Sequence, residues 1–415
     1  MGRMRRQQHG IVAVVVAIAL LALLVMAGLA IDTGHLVLNK SRLQSTVDAS
    51  ALAAAKVLDQ THSETQATAA ARSVFDLNAA QHGELRDKMS GADITVQYSS
   101  TLNPFAPGTT PSEYVRVISP SFSMWTSFTQ LLGYLEMKTG ASAVAGPSAP
   151  IPRPCDLFPV AVCGDPDHLD AYPWGFTPYP LTGNTVTGLK LASGAAGTTF
   201  GPGNFQLIRV GGAGGSNVRR NMAGGSACAG DMVEVDPQPG NVIGPVAQGV
   251  NTRFGQYLGP LGGDRSKYPP DWFTTPSPDM PFDVDKTTQA ITFNGVPVSG
   301  SVDAIVGAYT YADYLADNND VDPPPADPPP GAAQRRVVTI PIVDCRNKVP
   351  GTSATLPVAG FACFFILQPM RQSGSDGWLF GQFIEECPAT GAPGPVPGYG
   401  PYKIVLHNDP DSPDS

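Results

Sequence analysis

Residue types able to do chemistry are present, but their spacing assembles no reaction centre. The six histidines, His9, His35, His62, His82, His168 and His407, form no HExxH and repeat no short interval. A zinc site on a helix needs such an interval so that two imidazoles share a face. Asp165, Asp167, His168 and Asp170 crowd the stretch CGDPDHLD, and Asp317, Asn318, Asn319, Asp320 and Asp322 crowd another. Oxygen ligands at that density suit calcium, yet neither run follows an EF-hand loop, and solvated loops are expected. Glu385 and Glu386 are adjacent; in a strand they point to opposite faces and cannot work as an acid–base pair. GGAGGSNVRRNMAGG, residues 211–225, lacks both the GK[ST] ending of a phosphate loop and the spacing of a dinucleotide fingerprint, so tight turns are expected. No Gly-x-Ser-x-Gly elbow occurs. No catalytic residue, cofactor site or metal ligand is therefore assigned, and the chain is read as a non-enzyme.

The cysteines carry a different chemistry. Cys155, Cys163, Cys228, Cys345, Cys363 and Cys387 form no CxxC and are spread thinly over the later chain. An even number so distributed fits disulfides in an oxidising compartment better than a metal cluster. A local Cys155–Cys163 loop and a sheet staple between two of Cys345, Cys363 and Cys387 are expected.

These residues sit in a chain of 415, with room for two or three domains of roughly 100–200 residues each. Only 15% of residues are charged, and 45 Gly with 41 Pro describe a loop-rich protein. The net charge of -9 argues against a nucleic-acid partner.

GIVAVVVAIALLALLVMAGLAI, residues 10–31, is uncharged and long enough to cross a bilayer of about 30 Å as a helix. Arg3, Arg5 and Arg6 precede it and Asp32 follows it. Positive charge on the short side predicts a cytoplasmic N-terminus and an extracytoplasmic remainder. A signal peptide would have a shorter apolar core, and the helical pattern runs straight through MAGLA, which favours an uncleaved anchor. No later window is apolar enough, so a single pass is predicted. Past the span, Leu36, Leu43, Val47, Ala51, Ala54 and Leu58 recur as one face of a helix. The rod from residue 11 to 58 would be roughly 70 Å long. Its seam would pack on the protein's own sheet, on like helices in a filament or complex, or on each in different stretches.

The order Asp32, Gly34, Leu43, Gln44, Asp48, Ala49, Ala51, Leu52, Ala53 after a basic start resembles the N-terminal segment of the TadE/TadG-like proteins of the Flp (tight adherence) pilus system, and Gly28 joins these as a membrane-anchor and helix-packing position. Fragments such as GPVAQGVNTRFGQY and GFACFFILQP also look like the long TadG-related members. The resemblance implies a bitopic protein of the bacterial inner membrane that binds pilus or secretion-machine subunits without catalysis and without cofactors. The alanine-rich seam itself leaves self-association through the N-terminal helix open. Two departures stand out. If Gly10 were the cleavage-site Gly of a processed pilin, the glutamate position falls on Val15; and Asp48-Ala49-Ser50 continues as Ala51-Leu52, so no Asp-x-Ser-x-Ser metal motif is present.

The expected fold is α+β. A single transmembrane helix (11–31), after a cytoplasmic stub (1–10), continues into a long pilin-like helix with a small antiparallel sheet (32–146). A Pro-rich linker (147–154) leads to a mostly β, loop-rich, disulfide-containing outer domain (155–409) with a Pro-rich excursion at 318–331, and a tail (410–415) closes the chain. In the first part, 64–80 reads as a helix with Ala67, Ala71, Val74 and Leu77 on one side, 93–98, 113–119 and 134–146 as strands, and 123–133 as a short helix. In the second, 335–344, 360–368, 377–387 and 402–408 are the strongest strands, and 360–368 is apolar on both faces. Two other functions stay open. A surface adhesin or carbohydrate-binding protein would expose Trp125, Trp174, Trp272 or Trp378 beside polar groups, and a membrane-tethered hydrolase would join His168 or His407 to a nucleophile and a carboxylate.

Overall fold

The computed structural model describes residues 9–126, 128–133, 136–168, 174, 186–190, 204–225, 228, 232–288, 290–298, 301–320, 331–346, 355–372, 377–394, 400–409 and 412. Most of the stub, the prolines at 321–330, Asp170, Asp322 and nearly all of the tail lie outside the described residues. Two compact units result. One holds Met1–Asp59, Ser63–Gly146 and Val405–Ser415; the other holds Gln60–His62 and Pro147–Ile404.

The first unit is built on α1, His9–Thr61, a helix of 53 residues and about 80 Å. It has no proline, and its alanine-rich second half consists of strong helix formers. α2, Glu64–Ala79, starts where the Ser63 side chain accepts the Gln66 N–H at 3.4 Å, with Glu64 in the first turn to complement the positive helix end. Its buried face is Ala67, Ala71, Phe75 and Ala79. That corrects the expected face: a step of four brings Phe75 inward, and Leu77 is left 65% exposed. A short helix, α3 (Gly83–Lys88), follows.

The sheet of this unit runs β1 (Thr95–Ser99), β2 (Tyr114–Trp125), β3 (Glu136–Pro147) and a last strand from the far end of the chain, Ile404–His407. β2 and β3 form an antiparallel hairpin with an irregularity between Ser119 and Phe122, pairing Trp125 with Glu136 at its tip. The expected helix over 123–133 is corrected accordingly. Residues up to Trp125 continue β2, because Phe122 and Met124 alternate into the core, and only Thr129–Leu132 turn as a 3-10 helix. A second correction concerns the 402–408 strand, expected beside the other late strands. It pairs with β3, held by a buried ion pair between Arg116 Nη2 and Asp409 Oδ1 at 2.7 Å, with Ser142 Oγ donating to Asp409 Oδ2 at 2.8 Å.

The second unit is mostly β. Its principal sheet runs β4 (Val162–Gly164), β6 (Val337–Asp344), β7 (Leu356–Ile366), β8 (Leu379–Ile384) and β5 (Val186–Lys190). β7 is the central strand, buried on both faces as its apolar run requires. Ala362, Phe364 and Ile366 share one core with Val338, Ile340 and Phe383. That core is covered by α4 (Gly215–Met222) and α5 (Ile243–Asn251) through Val218, Met222, Val246 and Val250. Cys363 and Phe365 face a second core with Phe282, Phe293 and Phe380, which also holds Tyr314 of α6, Tyr311–Asp320. The expected loop at 318–331 is corrected at its start, since 318–320 close α6.

Three disulfides, Cys155–Cys228, Cys163–Cys345 and Cys363–Cys387, tie this unit. The expected Cys155–Cys163 loop is incorrect. Cys163 lies opposite Val343 in the parallel β4–β6 pair, which carries it to Cys345. The staple among the last three cysteines forms between Cys363 and Cys387.

Candidate functional site

α1 changes character along its length. From Val12 to Ile31 its large apolar side chains are exposed, including Ile18, Leu21 and Leu24. It is long and apolar enough to cross a membrane. From Leu43 the same helix turns inward: Leu43, Val47, Ala51, Ala54 and Leu58 are buried. Leu36 is half-buried. Gln44 Nε2 donates to Ser142 O on β3 and to Asp48 Oδ1, each at 2.8 Å. Five of the six seam residues named from sequence are thus buried, and Gln44 ties the helix to β3 of its own unit.

Between these halves sits a clasp. Asp32, only 6% exposed, accepts the backbone N–H groups of Phe128 at 2.9 Å and Thr129 at 2.7 Å, and the Thr129 hydroxyl at 3.0 Å. Ionised acceptors give the stronger hydrogen bonds, and here three donors converge on one oxygen. One turn earlier, Gly28 meets the Phe128 ring so closely that a Cβ would fall 2.5 Å from Cγ. Gly34, by contrast, has open space around it. Met26, Leu29, Ala30, Thr33, Gly34 and Val37 form a shallow apolar groove on this part of the helix. Sequence spacing ranked Gly28 and Gly34 alike; the structure uses the first at home and leaves the second open. The clasp residues Phe128 and Thr129 were not singled out, and their charge-free surroundings were the available signal.

The other candidates disperse. Asp165 Oδ2 lies 3.0 Å from His168 Nδ1 in an exposed turn, and the Asp167 N–H, then His168, hold the Asp165 carboxyl below its usual range. His407 meets Tyr114 edge-on. Asp317 accepts the Tyr309 hydroxyl at 2.6 Å. The Gly-rich stretch turns at Gly212, Gly214 and Gly224, all at positive φ, around α4. Among the described residues no group of three or more His, Cys, Asp and Glu could hold a metal. Trp378 is buried, Trp174 packs on a core, and Trp272 is half-buried with its N–H donated to Gly331 O; Trp125 alone of the four is exposed.

Two buried cations have structural tasks. The Arg336 guanidinium donates to the main-chain oxygens of Ile366, Phe273, Thr275 and Leu367 beneath the Phe365 ring, and burial lowers it to about 10. Lys190, lowered to about 8 by burial, donates to Asn241 Oδ1 at 2.6 Å and Gly377 O at 3.3 Å.

Among the described residues one helix is long and apolar enough to span a membrane, and with its continuation beyond the span and a disulfide-tied β region it supports a single-pass, membrane-anchored protein. Residues 10–57 match the family model described as "Putative Flp pilus-assembly TadE/G-like", and no other part of the chain is matched. The similarity thus spans α1 through both its exposed and its buried halves. No curated protein and no solved structure matches the chain.

Proposed function

We propose that this protein is a non-catalytic, membrane-anchored component of a Flp-type pilus or related secretion machine in the bacterial inner membrane. Its N-terminus lies in the cytoplasm and its two units outside, and it acts by binding other envelope subunits. One observation carries the reading: the family match coincides with a helix whose upper seam is buried while the stretch from Met26 to Val37 keeps an open apolar groove. Small residues such as Ala30 at the end of the span, and Thr33 and Gly34 just past it, let a second helix approach closely. Gly28, Asp32 and the buried seam hold the helix at a fixed register beneath that groove.

The test uses native protein in cells. A photo-crosslinking amino acid at Thr33 or Val37 should capture an envelope subunit or a second copy, whereas one at Val47 should yield only internal crosslinks. Intact mass should show an uncut N-terminus. Recovery of soluble protein cut after Ala30, with no crosslinked species, would sink the proposal.

A further inference from the structure

The clasp on Asp32 fixes more than the helix, because it sets the height of the β2–β3 tip. Phe128 packs on Gly28, inside the uncharged run 10–31, and its N–H is bound by Asp32, about 6 Å further along the helix. The tip therefore stands level with the outer end of the apolar span. It is also unusually apolar at its surface: Trp125 is 70% exposed and Phe128 41% exposed. No charged residue occurs between Arg116 and Glu136. Charge returns abruptly with Glu136, the partner of Trp125, and with Lys138, the partner of Ser123. Lys88 Nζ donates to Ser123 O at 2.9 Å. An uncharged tip with an exposed indole, a carboxylate directly across the strand pair from that indole and an ammonium two pairs above it, is the profile of a membrane interface, where Trp is favoured at headgroup depth.

We infer that the β2–β3 tip, Trp125, Thr126 and residues 128–133, is a foot resting in the headgroup–acyl boundary of the bilayer that α1 crosses, with Trp125 and Phe128 as its apolar contacts. The inference rests on α1 being a span. The clasp and the foot are then one device. The carboxylate nearest the hydrocarbon has its charge met by the donors of the tip, and Phe128 of the tip lies against the apolar helix at Gly28. A bare carboxylate at that depth would be costly. With the span and the foot both seated, the first unit has two attachments to the lipid surface, which restricts its tilt.

The experiment uses the full chain in vesicles of phosphatidylcholine and phosphatidylglycerol. Subtracting the emission of Trp125→Phe from that of the unsubstituted protein isolates the Trp125 signal; the side chain is exposed, so the variant keeps its fold. With lipid brominated near the top of the acyl chains, the Trp125 signal is expected to fall by at least about half, at the depth of the aromatic belt. It should resist aqueous acrylamide. Quenching by acrylamide without quenching by brominated lipid would overturn the inference, and so would insensitivity to both, which marks a protein contact. Extraction with alkaline carbonate separates the two readings. Release of the protein overturns the span and the foot together, whereas retention with Trp125 open to acrylamide overturns the foot alone.

Discussion

Asp32 follows the apolar run as a single carboxylate, and by position it marks the end of the span. Its structural role is larger, since it binds two N–H groups and a hydroxyl from a segment nearly a hundred residues away. Replacing it leaves those donors buried without their acceptor. Asp32→Ala is expected to cost the first unit about 2–4 kcal/mol, the scale of lost charged hydrogen bonds and unmet donors. The readout is the urea midpoint in detergent micelles, with faster proteolysis within 126–133. Asp32→Asn, which keeps one acceptor oxygen, should fall between. Undiminished stability of the Ala variant would show that the clasp is idle. From sequence the carboxylate was legible and its partners were not, because nothing local links residue 32 to residue 128.

At the scale of elements, periodicity was informative where one face is buried and weak where partners come from afar. The α1 seam and the two-faced burial of β7 follow directly from side-chain spacing. The length of β2 was hidden by aromatic and small residues that suit helix and strand alike, and the face of α2 was misread after Ala71, where Phe75 and Ala79 are buried in place of Val74 and Leu77. The last strand was legible as a strand, but its sheet was not. Its place depends on Arg116 and Asp409, each almost wholly buried. Breaking one partner of a buried ion pair strands the other charge, and Asp409→Ala is expected to cost about 3–5 kcal/mol. Hydrogen exchange at 404–407 should rise while exchange in β7 stays unchanged. The double variant Arg116→Met/Asp409→Leu should recover part of the loss, since it removes both charges. Equal exchange in the single variant and the unsubstituted protein would refute the tie.

For the whole molecule, covalent and non-covalent stabilisation are divided between the two units. The first contains no cysteine, and the second holds all three disulfides. Alkylation should therefore modify no cysteine until the protein is reduced, and a peptide map should join 155 to 228, 163 to 345 and 363 to 387. The Cys163–Cys345 bridge closes a separation of 182 residues, and long loops gain most from closure. Losing it through Cys163→Ser/Cys345→Ser is expected to cost about 2–5 kcal/mol. Calorimetry should show a lowered transition for the second unit with that of the first unmoved. A shift of both transitions together would contradict the division.

What the sequence by itself determined about this protein is what neighbouring residues settle among themselves. An unbroken apolar run makes a span, alanine-rich spacing carries the helix past it, and a strand apolar on both sides must be interior. Even the similarity to the TadE/G-like family model lies in that one continuous segment, residues 10–57. The tertiary structure alone decided which of those surfaces remain available. It buries the upper seam at home, uses Gly28 and leaves Gly34 open, brings Phe128 and Thr129 to Asp32, returns the chain's end to the first sheet and sets the disulfide pairs. Each of these joins residues distant along the chain, and such pairings depend on how whole elements pack, which spacing within a single element does not encode.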